Sequence, residues 1–208
     1  RRRHSFPTRR SSDLNGADNS DGVTLDAATV GSNSSGPITI IGTAGSGSNS
    51  EAIALSSSST IGAVSYANNI TLKANNFVFS SPASNVTTTG QFTIEPTSVS
   101  FSSPLSFPIT NLTVATGITG LTIGKPSNAT ALTLAATTIN GPITLYGGAL
   151  TLSGALSTTN TSTGNMSLNG TTLSGGSLSV ANGRTLTMNL SATTTYAGTI
   201  GGTGLNVV

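Results

Sequence analysis

From Val23 onward, apolar residues recur in pairs separated by one small polar residue. The strings are VTL at 23, ITI at 38, ITL at 70, FVF at 77, FTI at 92 and VSF at 99. They continue as LTV at 112, LTI at 121, LTL at 132, ITL at 143, LTL at 150, MSL at 166, LSV at 178 and LTM at 186. Successive side chains of a strand point to opposite faces, so each string buries its outer pair and exposes the central Thr or Ser. Val, Ile, Phe and Thr suit a pleated surface. No segment carries a sustained helical stripe at i, i+3, i+4 and i+7, and the sequence predicts an all-β chain.

Clusters such as GSNSSGP, GTAGSGSNS, GKPSN, INGP and NGTTLSGG separate the strings. Gly and Asn accept positive φ and Pro presets its own φ, so each cluster reads as a turn. GPIT occurs at Gly36 and again at Gly141, both times leading into a strand. Proline fits at the first strand position, where its missing N–H matters least.

Spacing chooses the architecture. From Leu112 the strand starts advance by 9, 11, 11 and 7 residues, so every second strand recurs after about 20: Leu112 to Leu132, Leu121 to Ile143. Stacked as coils, such strands place Leu, Ile and Val on one inner stripe and Thr outside. The expectation is a right-handed parallel β-helix of about 20 residues per coil, with an antiparallel β-sandwich as the alternative. Residues 15–208 form one such unit, less regular over 15–67 and more regular over 68–208. Phe77, Phe79, Phe92, Phe101 and Phe107 fall close together. They read as a wide core section whose rings stack between coils rather than as a ligand platform.

Composition changes this picture at one place. Only 7% of residues are charged and there is no Cys, so solubility rests on Ser, Thr, Asn and backbone, and a disulfide framework is excluded. Five of the eight basic residues are Arg1, Arg2, Arg3, Arg9 and Arg10, whereas only Asp13 of the six acids lies in the first fourteen residues. The remainder holds three basic and five acidic residues, a net −2, and the pI of 9.4 belongs to the opening segment. No nucleic-acid track continues beyond it. HSFPTRRSSDL, residues 4–14, lacks the apolar core of a secretory leader. Reverse-translated, it resembles a short-read sequencing adapter read in frame, so residues 1–14 are expected to be non-native and disordered.

Without that segment there is no His, which removes imidazole ligands and nucleophile–His pairs. The remaining ionisable groups are Asp18, Asp21, Asp26, Glu51, Glu95, Lys73, Lys125, Arg184 and the tyrosines Tyr66, Tyr146 and Tyr196. Glycoside hydrolysis needs converging carboxylates, and Glu51 and Glu95 each stand in an uncharged stretch. DNSDG, residues 18–22, lacks the spaced carboxylates of a calcium loop and reads as an Asx-turn before the first strand. GLTIGK, ending at Lys125, has its glycines in the wrong register for a phosphate loop, and Pro126 follows the Lys. Lys73 and Arg184 read as solvated strand-edge or turn charges. Sequons, among them Asn69, Asn111, Asn128 and Asn189, are frequent as composition dictates. A stacked outward Thr array would suit ice only at constant pitch, and the sequence intervals vary. No catalytic, cofactor-binding or metal-binding residue is predicted, and no cofactor.

Residues 111–152, NLTVATGITGLTIGKPSNATALTLAATTINGPITLYGGALTL, resemble the repeat regions of bacterial filamentous-haemagglutinin-like exoproteins, in which GLTIGK, GPI and YGG elements recur. The stretch TTTYAGTIGGTGLNVV resembles the start of the autotransporter-associated β-strand repeat through Tyr196, Gly198, Ile200, Gly202 and Gly204. The resemblance covers about half the chain. It implies an internal fragment of a large secreted or surface-exposed protein of a Gram-negative bacterium, with a structural or adhesive β-helical stalk and no catalysis. The implied partners are neighbouring coils of the parent chain, with host-surface or glycan ligands reached through that parent and no nucleic acid. A carbohydrate-active β-helix enzyme, acting through Asp26 or Glu95, and a glycan-binding module are the alternatives.

Overall fold

The computed structural model describes residues 21–31, 35–45, 50–193 and 195–208. The adapter-like segment and Asp18 lie outside the described residues. Within them the chain is all β, with no helix, and every strand pairing is parallel. Each turn of the chain lays down three short strands. The first three coils comprise β1 (Val23–Asp26), β2 (Thr29–Val30) and β3 (Ile38–Ile41); β4 (Ile53–Ser56), β5 (Thr60–Gly62) and β6 (Ile70–Lys73); and β7 (Phe77–Phe79), β8 (Ser84–Thr87) and β9 (Gln91–Glu95). The fourth and fifth are β10 (Leu105–Phe107), β11 (Leu112–Val114), β12 (Gly120–Ile123), then β13 (Leu132–Leu134), β14 (Thr137–Ile139), β15 (Ile143–Tyr146). The sixth and seventh are β16 (Ala149–Leu152), β17 (Leu156–Thr158), β18 (Met166–Gly170), then β19 (Thr172–Gly175), β20 (Leu178–Ser179), β21 (Thr185–Leu190). β22 (Ile200–Gly201) and β23 (Asn206–Val207) follow. The fold is a parallel β-helix.

One face is continuous: β3, β6, β9, β12, β15, β18, β21 and β23 form an eight-stranded sheet. The other two faces are each broken into two sheets, β1-β4-β7 with β10-β13-β16-β19, and β2-β5-β8-β11 with β14-β17-β20-β22. On the continuous face the inner row runs Ile38, Ile70, Phe92, Leu121, Ile143, Met166, Leu186. A second inner row runs Ile40, Leu72, Ile94, Ile123, Leu145, Leu168. Nearly all of these are fully buried. At about 25 cal/mol per Å² of apolar surface removed from water, such rows supply the main favourable term for an otherwise weakly hydrophobic chain.

The strand alternation read from the sequence is observed, but the coil differs from the two-strand unit that the spacing suggested. Leu121 does stack on Ile143. Leu112 instead stacks on Ser84, and Leu132 lies between Leu105 and Leu150. The coil has three strands, and on one face only β11 (LTV) and β20 (within LSV) carry the apolar alternation, the other strands there being too polar to show it. β5 reads TIG, β8 SNVT, β14 TTI and β17 LST, each with few large apolar residues. Coil length also varies, from 18 residues between Leu132 and Leu150 to 32 between Ile38 and Ile70. Loops on the periphery absorb the difference.

VSF at 99 is not a strand. Val99 is exposed and Phe101 buried, although strict alternation would put them on one side. The segment is a loop tied to the coil before it: Asn75 Oδ1 accepts from Thr97 Oγ1 and from the Ser98 N–H, and the Asn75 carbonyl accepts from the Ser102 N–H, each at 2.9 Å. In the early region β1 pairs with β4 and β2 with β5, parallel and in register.

Candidate functional site

Three places could carry function: the ionisable groups, the continuous sheet face and the breaks in the other two faces. The ionisable groups are dispersed. Asp26 ends β1 and Glu95 ends β9, on different faces of the helix and two coils apart. Among the described residues no three His, Cys, Asp or Glu side chains gather into a metal-binding group. Lys125 follows β12 at a turn, and its Nζ lies 3.5 Å from the Thr97 carbonyl. Gly124 there has φ +82, as a turn glycine would. Arg184 precedes β21 at the turn containing Asn182 and Gly183, and donates to the Ser162 carbonyl at 2.9 Å.

Lys73 departs from the expectation of an edge charge. It lies in an interior strand of the eight-stranded sheet, between Ile41 and Glu95, and its Nζ reaches Glu95 Oε1 at 2.8 Å. Both side chains keep partial solvent contact, so the pair is worth under about 1 kcal/mol. Lys73→Gln is expected to lower unfolding free energy by about 0.5 kcal/mol in low salt. Half or more of that loss should vanish in about 1 M salt. Urea titrations of Lys73→Gln, Glu95→Gln and the double variant check it; a coupling unchanged by salt would rule out the ion pair as the cause.

Asp21 and Glu51 meet across the first two coils. Asp21 Oδ1 accepts the Glu51 N–H at 3.0 Å, and Oδ2 accepts Thr24 Oγ1 at 3.2 Å. Residues 18–20 of the suggested Asx-turn lie outside the described residues, and Asp21 bonds to the next coil and to the Thr24 hydroxyl rather than closing a turn. Partial burial pushes the Asp21 carboxyl up, but hydrogen bonds from Glu51 and Thr24 prevail and hold it below its ordinary 3.8. The Glu51 carboxyl is raised above its ordinary 4.5, chiefly by the hydrogen bond it shares with Asp21, then by burial and charge repulsion. Folded Glu51 thus retains a proton that the unfolded chain releases. Its contribution to stability is full below 4.5 and fades as pH rises through the raised folded value. The Asp21 contribution runs the other way, present above 3.8 and lost as pH falls through the depressed value. Carboxyl NMR titration should show Glu51 titrating above Asp21, with Asp21→Asn returning Glu51 towards its ordinary value. Identical midpoints would contradict the shared hydrogen bond. Asp26 is also held low, by hydrogen bonds from Ser57 and then Ser56.

The tyrosines are structural or peripheral. Tyr66 is buried and donates to the Gly36 carbonyl. Tyr196 donates to the Gly176 carbonyl at 3.0 Å, and burial raises its phenol. Tyr146 lies at the outer end of β15, in register with Asn169. Two sequons are built into the fold. Asn128 is 4% exposed and its Nδ2 donates to the Tyr146 carbonyl at 2.7 Å, while Asn111 Nδ2 donates to the Phe79 carbonyl at 2.8 Å.

The continuous face carries an outward rank of Thr39, Thr71, Thr93, Thr122, Thr144, Ser167 and Thr187 in register. Parallel strands stack about 4.8 Å apart, so uneven spacing along the sequence becomes an even pitch in space. The outward Thr rank therefore repeats at one residue per coil despite the uneven sequence intervals. The array is one residue wide, however, and the next rank passes through Ile41, Lys73, Glu95, Tyr146, Asn169 and Asn189.

The phenylalanines divide. Phe79, Phe92, Phe101 and Phe107 are buried core residues, as the core reading expected, while Phe77 is half-buried. Phe77 packs against Phe79 and edge-on against Phe101, with ring centroids 6.1 and 6.2 Å apart. It also borders a cleft of about 340 Å³ where β7 and β10 fail to pair. A second cleft, about 380 Å³, lies where β11 and β14 fail to pair. Both clefts flank the fourth coil, and neither break is legible in the strand pattern.

No protein family, curated protein or solved structure matches this chain.

Proposed function

We propose that this chain is a structural or adhesive β-helical segment of a large secreted or surface-exposed bacterial protein, and that it performs no catalysis. The observation that carries the reading is the eight-stranded parallel ladder with its unbroken aliphatic rows. Each coil contacts its neighbours, so length is gained by repetition. Backbone hydrogen bonds between coils run along the stack and resist extension of the rod. Its outer surface is nearly uncharged Thr, Ser and Asn, which suits a stalk that spaces binding regions from the cell. Asp26 and Glu95, the carboxylates that an enzyme would use, do not converge, and Glu95 is engaged by Lys73.

The test is immunolabelling of intact, unpermeabilised cells of the source bacterium with antibodies to residues 111–152. Surface labelling, removed by external protease, is the expected result. Labelling only after permeabilisation would overturn the proposal. Turnover of an acidic polysaccharide that disappears in Asp26→Asn or Glu95→Gln would replace it with the enzyme alternative.

A further inference from the structure

The cleft between β11 and β14 has a chemistry of its own. β11 is the last strand of one four-stranded sheet and β14 the first of the next, so each presents an edge to the other. In a parallel ladder alternate residues bond to opposite neighbours. On the β11 side, Ser84 N–H bonds to the Asn111 carbonyl and Ala115 N–H to the Val86 carbonyl, which commits Thr113 to β8. Leu112 and Val114 therefore turn their backbone groups to the cleft. Thr137 N–H bonds to the Ala155 carbonyl and Thr159 N–H to the Ile139 carbonyl, which commits Thr137 and Ile139 to β17. Thr138 faces the cleft.

Leu112 N–H is taken by the Ile109 carbonyl. Val114 and Thr138 make no backbone hydrogen bond across the break, because the two strands do not pair. Unpaired edge groups are a template for another extended chain. The floor is apolar, with Phe107, Leu112, Ile118 and Ile139 all buried, and the rim carries Thr113, Thr116, Thr137 and Thr138. The lining holds no charged side chain and no Asn or Gln. Its specific hydrogen bonding is thus mostly backbone, which suits a peptide better than a sugar. The occupant follows from continuity: the β2-β5-β8-β11 ladder stops on the side of the coil where the β14-β17-β20-β22 ladder begins.

We infer that this cleft docks an extended, uncharged segment of a partner protein, which bonds to the backbone of Val114 and Thr138 and buries an aliphatic side chain over Ile118 and Ile139. The site goes beyond the stalk reading and does not depend on where the stalk is displayed.

The probe is acetyl-Thr-Val-Thr-Val-amide, titrated into the full ¹⁵N-labelled chain and followed by NMR. Saturable shifts centred on the Val114 and Thr138 amides are expected. The same peptide with every backbone nitrogen methylated keeps its side chains but loses its donors, and should bind at least about tenfold more weakly. Val114→Pro removes the edge donor and should weaken the unmodified peptide by a similar factor. Should that variant fail to fold, the methylated peptide decides, since it leaves the protein intact. No saturable shift at these amides up to about 10 mM peptide overturns the inference, as does equal binding by the methylated peptide. Saturation by cellotetraose with none by the peptide overturns it in favour of a glycan.

Discussion

Leu145→Asp is expected to abolish the cooperative unfolding of the middle coils, whereas Thr144→Asp, one residue away, leaves it nearly unchanged. Leu145 is fully buried, stacked between Ile123 and Leu168. A carboxylate there loses its hydration, and the described cations are placed elsewhere: Lys73 is engaged by Glu95, Lys125 lies by the Thr97 carbonyl and Arg184 bonds to the Ser162 carbonyl. Removing the side chain alone costs about 2–5 kcal/mol, and an uncompensated buried charge adds several more. Thr144 points outward in the Thr rank, where a surface substitution usually costs about 0.5 kcal/mol or less. Because a solenoid is coupled through nearest neighbours, the damage should centre on β12, β15 and β18. Native-state hydrogen exchange is the measurement. Loss of protection in those strands ahead of β6 and β9 is expected; equal effects of the two variants would refute the period-two assignment.

Gly141→Ala is expected to destabilise the protein by about 3 kcal/mol, whereas Gly36→Ala is expected to be close to neutral. A Cβ on Gly141 would lie 1.9 Å from the Thr119 carbonyl oxygen and 2.5 Å from its carbon, both backbone atoms of the preceding coil. Neither can yield without moving β12, which is bonded on both sides. A Cβ on Gly36 would meet nothing within 4 Å. Neither position has positive φ, so backbone strain does not enter the comparison. Gly183→Ala supplies the converse control: φ is +69 with nothing within 4 Å, and the cost is about 1 kcal/mol. Thermal or urea unfolding of the three variants orders them. A neutral Gly141→Ala would mean that the fourth and fifth coils are not packed as described.

Much of the wall was legible in advance. Alternation within ITL, FTI and LTL assigned inner and outer faces because a strand's side-chain period is locally fixed. The number of strands per coil was not legible. β5, β8, β14 and β17 are too polar to announce themselves; they are extended because neighbouring coils supply their backbone partners. VSF failed for the opposite reason. Its alternation is strand-like, yet Asn75 captures the loop and turns Val99 outward while Phe101 enters the core. The cleft beside β11 is likewise a product of stacking. Its walls are ordinary strand sequences whose failure to pair appears only in three dimensions.

GPIT marks the division between the two kinds of information. By itself the motif determined a turn followed by a strand with Ile inside and Thr outside. At both sites this holds: Ile38 and Ile143 are buried, and Thr39 and Thr144 face outward in one rank. Why the glycine is there was decided by tertiary structure. Among the described residues β3 begins the eight-stranded sheet with no strand paired on its other edge, and Gly36 has room for a side chain. β15 lies against β12, and the backbone at Thr119 closes over Gly141. Local sequence sets which way a side chain points, through the fixed geometry of an extended chain. Only the stacking of coils sets how much space it finds there.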